Sequence, residues 1–263
     1  MTQFRTSISE VGEGTVNLRG YSLDDVIRHL DHTDGIFLTI LGRLPSPAEH
    51  EVTRAMLNTL LDHGWVASTV AATRYAASGN PQLVPALAAG LLACGNNTVS
   101  PQHSFDVLEQ ARVLRESLNL TFEQAAERII DEFRASRKRL PGLGHPTHKT
   151  EDFRAVAIWQ IADRVGAAGD GIRQFRAIHA RFVEASGRFL PVNIDGALAA
   201  LGYDLGWTAT QTVAIGLLSV LPGLLAHAIE ELENPVPLRC ISDGVYDVKS
   251  ISELPVTLEE SAK

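Results

Sequence analysis

The chain is poor in cysteine. It has two, Cys94 and Cys240, in 263 residues. Neither has a second cysteine at metal-ligand spacing, so a thiolate metal site is not expected, and a disulfide framework is equally unsupported. Positive charge is in deficit. Lys plus Arg number 23 against 31 Asp plus Glu, a formal net charge of -8, and phosphate backbones need a basic surface. The one basic run, Arg134 to Arg139, reads as the solvated end of a helix. Residues Met1 to Thr6 lack the apolar core of a secretion signal. The most apolar run, Val213 to Ala228, is shorter than a typical membrane span and contains Pro222 and His227. It reads as a buried helix. Strand signals are sparse, and neither an internal repeat nor a low-complexity tract is present. A cytoplasmic enzyme or binding protein is the expectation.

The chain is 45% apolar, enough for a substantial core. The pattern is helical nearly throughout. Ser46-Pro-Ala-Glu49 is a capping box with proline at the first helical position. It predicts a helix to about Asp62, with Val52, Met56, Leu57, Leu60 and Leu61 on one face. Asn80-Pro81 predicts another, ending near Gly95. Thr121-Phe-Glu-Gln124 is a second capping box, with a helix to about Arg137. Helical spacing recurs over Glu151 to Val165 and Gly171 to Glu184. Thr208 is placed to cap a long apolar helix ending in the acidic cluster Glu230 to Glu233. Val11 to Leu18 fits a short hairpin. Loops are expected over Gly95 to Pro101, Lys138 to Thr150, Arg188 to Val192 and Asn234 to Tyr246.

Two segments present ionisable side chains beside glycine. Pro141-Gly-Leu-Gly-His-Pro-Thr-His-Lys149 offers His145, and Pro191-Val-Asn-Ile-Asp-Gly196 offers Asp195. Glycine lets a backbone approach a ligand closely, and an acid with an imidazole can serve as an acid–base pair. Of nine histidines, His29, His32 and His50 read as surface groups, and His179 and His227 as structural ones. His145 and His148 have the look of a metal pair. With proline between them and no third ligand nearby in sequence, no metal is expected. His63, His103 and His145 remain as candidates.

Arg19-Gly-Tyr-Ser-Leu-Asp-Asp-Val26, followed by Ile36-Phe-Leu-Thr-Ile-Leu-Gly-Arg-Leu-Pro-Ser-Pro-Ala-Glu49, resembles the N-terminal signature of the citrate synthase superfamily. Asp62-His-Gly64 resembles its Asp-His element, Pro141-Gly-Leu-Gly-His145 its Gly-x-Gly-His loop, and Asn193-Ile-Asp195-Gly196 its Asn-Val-Asp segment. The elements follow the family's order from about residue 7 to about residue 246. The short length and the Asp-His-Gly form look most like the compact citryl-CoA lyases.

The resemblance implies a mainly α fold, the citrate synthase fold. A large helical domain (1–141 plus 209–263) and a small one (142–208) would enclose a cleft, in a homodimer. It implies that Asp195 moves the α proton of an acyl-CoA. His145 would act at the hydroxyl or ketone oxygen of the other reactant, taking the hydroxyl proton in the cleavage direction. His63 would contact the acid portion. Arg154 would pair with a substrate carboxylate, and Arg239 would reach across the dimer. Gly142, Leu143 and Gly144 would line the coenzyme A path, with Lys149 at a phosphate. Coenzyme A enters only as part of the substrate, and no permanently bound cofactor is implied. The implied reaction is cleavage of a 3-hydroxyacyl-CoA, citryl-CoA or a less carboxylated analogue, to acetyl-CoA and a 2-oxo acid. The alternatives are a citrate or 2-methylcitrate type synthase, and a non-catalytic CoA-binding homologue.

The sequence departs from the family twice. The loop in which relatives carry a glycine pair falls at Thr98-Val99-Ser100. His103, just beyond, is the candidate to stabilise the enolate in its place, or else a helix-start residue. The family's Gly-Arg arginine falls at Val220 or Leu221, which favours a substrate with one fewer carboxylate.

Overall fold

A computed structural model describes residues 4–241, 244, 245 and 247. Tyr246, the expected end of the last loop, lies outside the described residues. Three short strands open the chain, β1 (Ser9–Gly12), β2 (Thr15–Leu18) and β3 (Tyr21–Ser22), paired antiparallel in that order. The hairpin turns at Glu13 and Gly14, where Gly14 adopts φ 68°. The Arg19 guanidinium donates from Nε and Nη2 to the Thr39 carbonyl at 3.1 and 2.9 Å, which anchors the hairpin to the second helix.

Eleven helices follow among the described residues. They are α1 (Leu23–His29), α2 (His32–Leu41), α3 (Pro47–Asn58), α4 (Ser68–Gly79), α5 (Leu83–Leu92) and α6 (Pro101–Leu118). Then come α7 (Phe122–Ala135), α8 (Phe153–Val165), α9 (Asp170–Ser186), α10 (Ile194–Asp204) and α11 (Ala209–Glu233). The two capping boxes read from the sequence are formed, and Thr208 completes a third with Gln211. Strand β3 and helices α1, α2, α4, α6 and α10 were not signalled by cap and periodicity. The helix expected to run to Asp62 stops at Asn58. There the Thr59 amide turns back to the Met56 carbonyl at 3.1 Å, and the residues beyond are free to carry His63 inward.

Helix α10 is the centre of the molecule. Residues 196–202 are all buried, and it packs on α6, α8, α9 and α11. A helix covered on every side must be apolar all round. Its small residues, Ala197, Ala199, Ala200 and Gly202, let four neighbours approach at once. A Cβ on Gly202 would stand 2.3 Å from Thr212 Oγ1 on α11. Helix α11 is longer than the apolar run seen in the sequence. At 25 residues with mean hydropathy 1.9 it is long and apolar enough to cross a membrane. In this structure it packs against α3, α4, α5, α6 and α10. Glu231 near its end is buried and held by Arg74 at 2.8 Å and Arg239 at 2.7 Å.

Leu198 and Leu201 of α10 are wholly buried. Replacing Leu198 by Ala is expected to lower unfolding free energy by roughly 2–5 kcal/mol, since a cavity forms where four helices meet. Urea denaturation measures it, and a loss below about 1 kcal/mol would contradict close packing around α10.

Candidate active site

The two glycine-bearing segments meet. The Asn193 amide donates to the Gly142 carbonyl at 2.9 Å, and the Gly144 amide donates to the Pro191 carbonyl at 2.8 Å. Leu143 and Val192 form an antiparallel bridge, and Asn193 Nδ2 donates to the Gly144 carbonyl at 2.9 Å. The contact is possible only without side chains. A Cβ on Gly142, which adopts φ 79°, would lie 2.5 Å from Phe175 and 2.8 Å from Gly196 Cα. A Cβ on Gly196 would lie 2.7 Å from the Gly142 carbonyl oxygen. This pairing holds the loop of His145 against the start of α10.

Asp195 stands in the first turn of α10, not in a loop. Asn193 caps that turn by accepting the Gly196 amide at 3.1 Å. The Asp195 carboxylate accepts the Ser100 amide at 3.2 Å and the Ser100 hydroxyl at 3.4 Å. Burial raises the Asp195 pKa above the ordinary carboxylate range, against the lowering effect of Ser100 and of the Arg154 charge. Ser100 is delivered by a strained loop. Val99 has φ 53°, a left-handed conformation that costs a β-branched residue of order 1–3 kcal/mol.

His145 accepts the backbone amides of Thr147 and His148 at its Nδ1, both at 3.0 Å. A backbone N–H can only donate, so Nδ1 carries a lone pair and the neutral ring holds its proton on Nε2. Burial first, then the charge of Arg154, depresses the His145 pKa from 6.5 to about 4. The ring is therefore a neutral Nε2–H donor at physiological pH. In this arrangement Nε2 is a donor, whereas the family resemblance implied that His145 takes a hydroxyl proton. His63 lies 5.0 Å from His145 between ring centroids, and its pKa is also lowered, chiefly by burial. Its loop rests on α11 at Gly223, where a Cβ would stand 2.2 Å from the Leu61 carbonyl oxygen. His227 of α11 meets Asp62 at 3.0 Å beside it. No third ligand was expected near His145 and His148, yet folding brings His63 there. Ring nitrogens of the three lie within 4.8 Å of one another.

Arg154, buried at the start of α8, is held by a carboxylate the sequence reading passed over. Asp152 accepts Arg154 Nε and Nη2, each at 2.8 Å, and also the Ile194 amide at 3.0 Å. One buried Asp thus ties the guanidinium to the residue before Asp195. Burial pushes the Asp152 pKa up most strongly, but the hydrogen bonds from Arg154 and its charge together hold it below the ordinary carboxylate range.

Two cavities meet at Asp195. The smaller, about 350 Å³, is bordered by His63, His145, Arg154, Asp195 and Val220. The larger, about 520 Å³, is bordered by His103, Lys138, Arg139, Gly142 and Leu143. Asn97, Gly144, Asn193 and Asp195 border both. The structure therefore gathers Asp195, His145, His63 and Arg154. His103 lies in the first turn of α6, borders only the larger cavity and makes no hydrogen bond to Asp195. Lys149 borders neither and donates to the His145 carbonyl at 3.1 Å. Lys138 and Arg139, read from the sequence as a solvated face, are the basic residues on the larger cavity. Arg239 faces a separate cavity with Trp65, Arg74 and Tyr75, bound to Glu231 of its own chain. The signal for Asp152 was available, since an Asp preceding a helical run is a cap candidate.

Comparison with known proteins agrees with the fold. The family described as "Citrate synthase, C-terminal domain" matches residues 29–240. The structure is similar to that of citryl-CoA lyase from Hydrogenobacter thermophilus, with TM-score 0.86, 28% identity and 99% of each chain covered. It shares its fold with ATP citrate lyase from Methanothrix soehngenii, determined with citrate and coenzyme A. There the TM-score is 0.79 at 18% identity, over 99% of this chain and 43% of that one. Citrate synthase 2 of Bacillus subtilis (strain 168) is 24% identical over 211 residues, 80% of this chain and 55% of that protein's length. The chain thus spans about half of that relative.

The His145 environment predicts a titration. By nitrogen-detected NMR the ring is expected to stay neutral, with its proton on Nε2, from pH 8 down to about 5. It should protonate near pH 4. Because the folded pKa lies below the unfolded one, the His145 contribution favours folding above pH 6.5 and is lost as pH falls toward 4. Protonation near 6.5, or a proton on Nδ1, would overturn the assignment.

Proposed function

Because the chain belongs to the citrate synthase family, we propose that it makes or breaks the bond between the α carbon of an acyl-CoA and the carbonyl carbon of a 2-oxo acid. The observation that carries this reading is Asp195 at the junction of two cavities, facing the one that holds His145 and Arg154. The larger cavity, with Lys138 and Arg139 at its border, suits the phosphates and pantetheine of coenzyme A. The smaller suits the acid portion. The likeness to citryl-CoA lyase over the full length of both chains supports the cleavage direction. The match to Citrate synthase 2 keeps condensation as the second reading. Both use the same groups.

In cleavage, His63 takes the hydroxyl proton. It is the imidazole of the pair without a protein hydrogen bond among the described residues. The carbon–carbon electron pair passes to the thioester as an enolate. While the proton leaves, the hydroxyl oxygen accepts the His145 Nε2–H, a fixed dipole that stabilises the negative charge there until the ketone forms. The protonated form of Asp195, which burial favours, then gives its proton to the enolate carbon. His63 ends protonated and Asp195 ionised, and solvent restores both. Asp152 is a positioning residue for Arg154. We further read closure of residues 142–208 over the cleft and assembly as a homodimer. The exposed apolar side chains of Trp65, Val84 and Leu92 support such an interface. We also read a cytoplasmic setting, the default for this composition.

The test is a mass-spectrometric time course with 3-hydroxyacyl-CoA thioesters, run beside exchange of acetyl-CoA methyl protons in heavy water with a 2-oxo acid present. Asp195→Asn is expected to slow both by roughly 10²–10⁴-fold, and unchanged rates would refute the assignment. Exchange needs ionised Asp195, so its rate should fall on the acid side. Ser100→Ala removes a hydrogen bond that lowers the Asp195 pKa. The acid limb should therefore move to higher pH, and a shift to lower pH would contradict the proposed base.

A further inference from the structure

We infer that the acid portion of the substrate carries one carboxylate and, in place of a second, an apolar group. The inference rests on the carbon–carbon cleavage reading above and names the substrate class within it. The first ground is an inventory of cations. Among the residues bordering the smaller cavity, Arg154 is the one guanidinium, and no lysine borders it. Asp152 already occupies Nε and one edge of Nη2. Five N–H groups minus those two leave one outward edge, formed by Nη1 and Nη2. That edge pairs with a single carboxylate in a two-pronged fashion. His63 and His145 add no charge, since both are held neutral by burial and by Arg154.

The second ground is the wall itself. Leu60, Val66, Ala67, Val99, Ile194 and Val220 border the same space. Val220, rather than Leu221, is the residue that α11 turns to it, and it is 9% exposed. The acid portion of citryl-CoA has two free carboxylates. The second would lie against these aliphatic groups with Asp195 nearby. The other polar side chains on that border, among them Ser68, Thr69, Asn97, Thr98 and Thr147, are neutral, and the first turn of α4 has Ala67 at its N-cap position, which offers no side-chain bond. A helix end supplies about half a charge. An alkyl group fills the same wall without needing a partner. The fitting substrate is a 3-carboxy-3-hydroxyacyl-CoA with an alkyl group at C3, cleaved to acetyl-CoA and a monocarboxylic 2-oxo acid such as pyruvate.

The experiment compares citryl-CoA with 3-carboxy-3-hydroxybutanoyl-CoA on the full chain, reading kcat/KM for each from acetyl-CoA release. The monocarboxylate should be preferred by on the order of 10- to 100-fold, the scale of one charge-assisted bond left unmade. Val220→Arg should narrow or reverse the preference by restoring a partner for the second carboxylate. Should burial of that arginine prevent folding, Val66→Arg supplies the charge from a position that is 74% exposed. Equal or better turnover of citryl-CoA by the parent protein overturns the inference and leaves the cleavage reading standing, with the α4 turn as the carboxylate site. Turnover of neither thioester, with no methyl-proton exchange, overturns the cleavage reading and the inference together.

Discussion

The close passage of Gly142 against Gly196 is the constraint on which the site depends. Two chain segments distant in sequence come within backbone contact, and a methyl group on either would collide with the other or with Phe175. Everything chemical hangs from this point. On one side the backbone leads through Leu143 and Gly144 to His145. On the other it enters α10, whose first turn holds Asp195. Because residues 196–202 of α10 are buried, Asp195 inherits the rigidity of the whole core. A close-packed interior has little freedom to shift such a helix.

Electrostatics of the site follow from desolvation acting on groups that share partners. Burial raises Asp195 and depresses His145 and His63. Arg154 is the one cation in their midst, and Asp152 half-neutralises it while fixing its plane. The result is a cavity of nearly neutral groups with directed donors. On the proposed chemistry such a cavity suits an enolate that forms without a free cation beside it, and it offers a second carboxylate no cation of its own. Strain at Val99 fits the same logic. It is localised in the loop that gives two hydrogen bonds to the base.

Much of the fold was legible. Ser46, Thr121 and Thr208 marked helix starts because a cap is a local bond between residues three apart. Helices α4 and α6 were missed because no side chain caps them, and α10 because a helix buried on every face has no amphipathic stripe to read. Asp195 and His145 were legible as ionisable groups next to glycine. Ser100 and Asp152 were not, since their importance lies in hydrogen bonds to residues far along the chain. Lys149 was favoured over Lys138 and Arg139 by its nearness to His145 in sequence. The loop instead folds Lys149 back onto the His145 carbonyl.

By itself the sequence determined a helical protein of one family, the residue types of the site, and an aliphatic residue, Val220 or Leu221, where the resemblance leads one to expect an arginine. These are properties of composition, local periodicity and order, which need no third dimension. Only the tertiary structure decided which nitrogen of His145 holds the proton, which carboxylate engages Arg154, and which of Val220 and Leu221 faces the cavity. It also decided that His63 joins His145 and His148. Each depends on contacts between segments tens of residues apart, and a helix rotation of one residue would change them all.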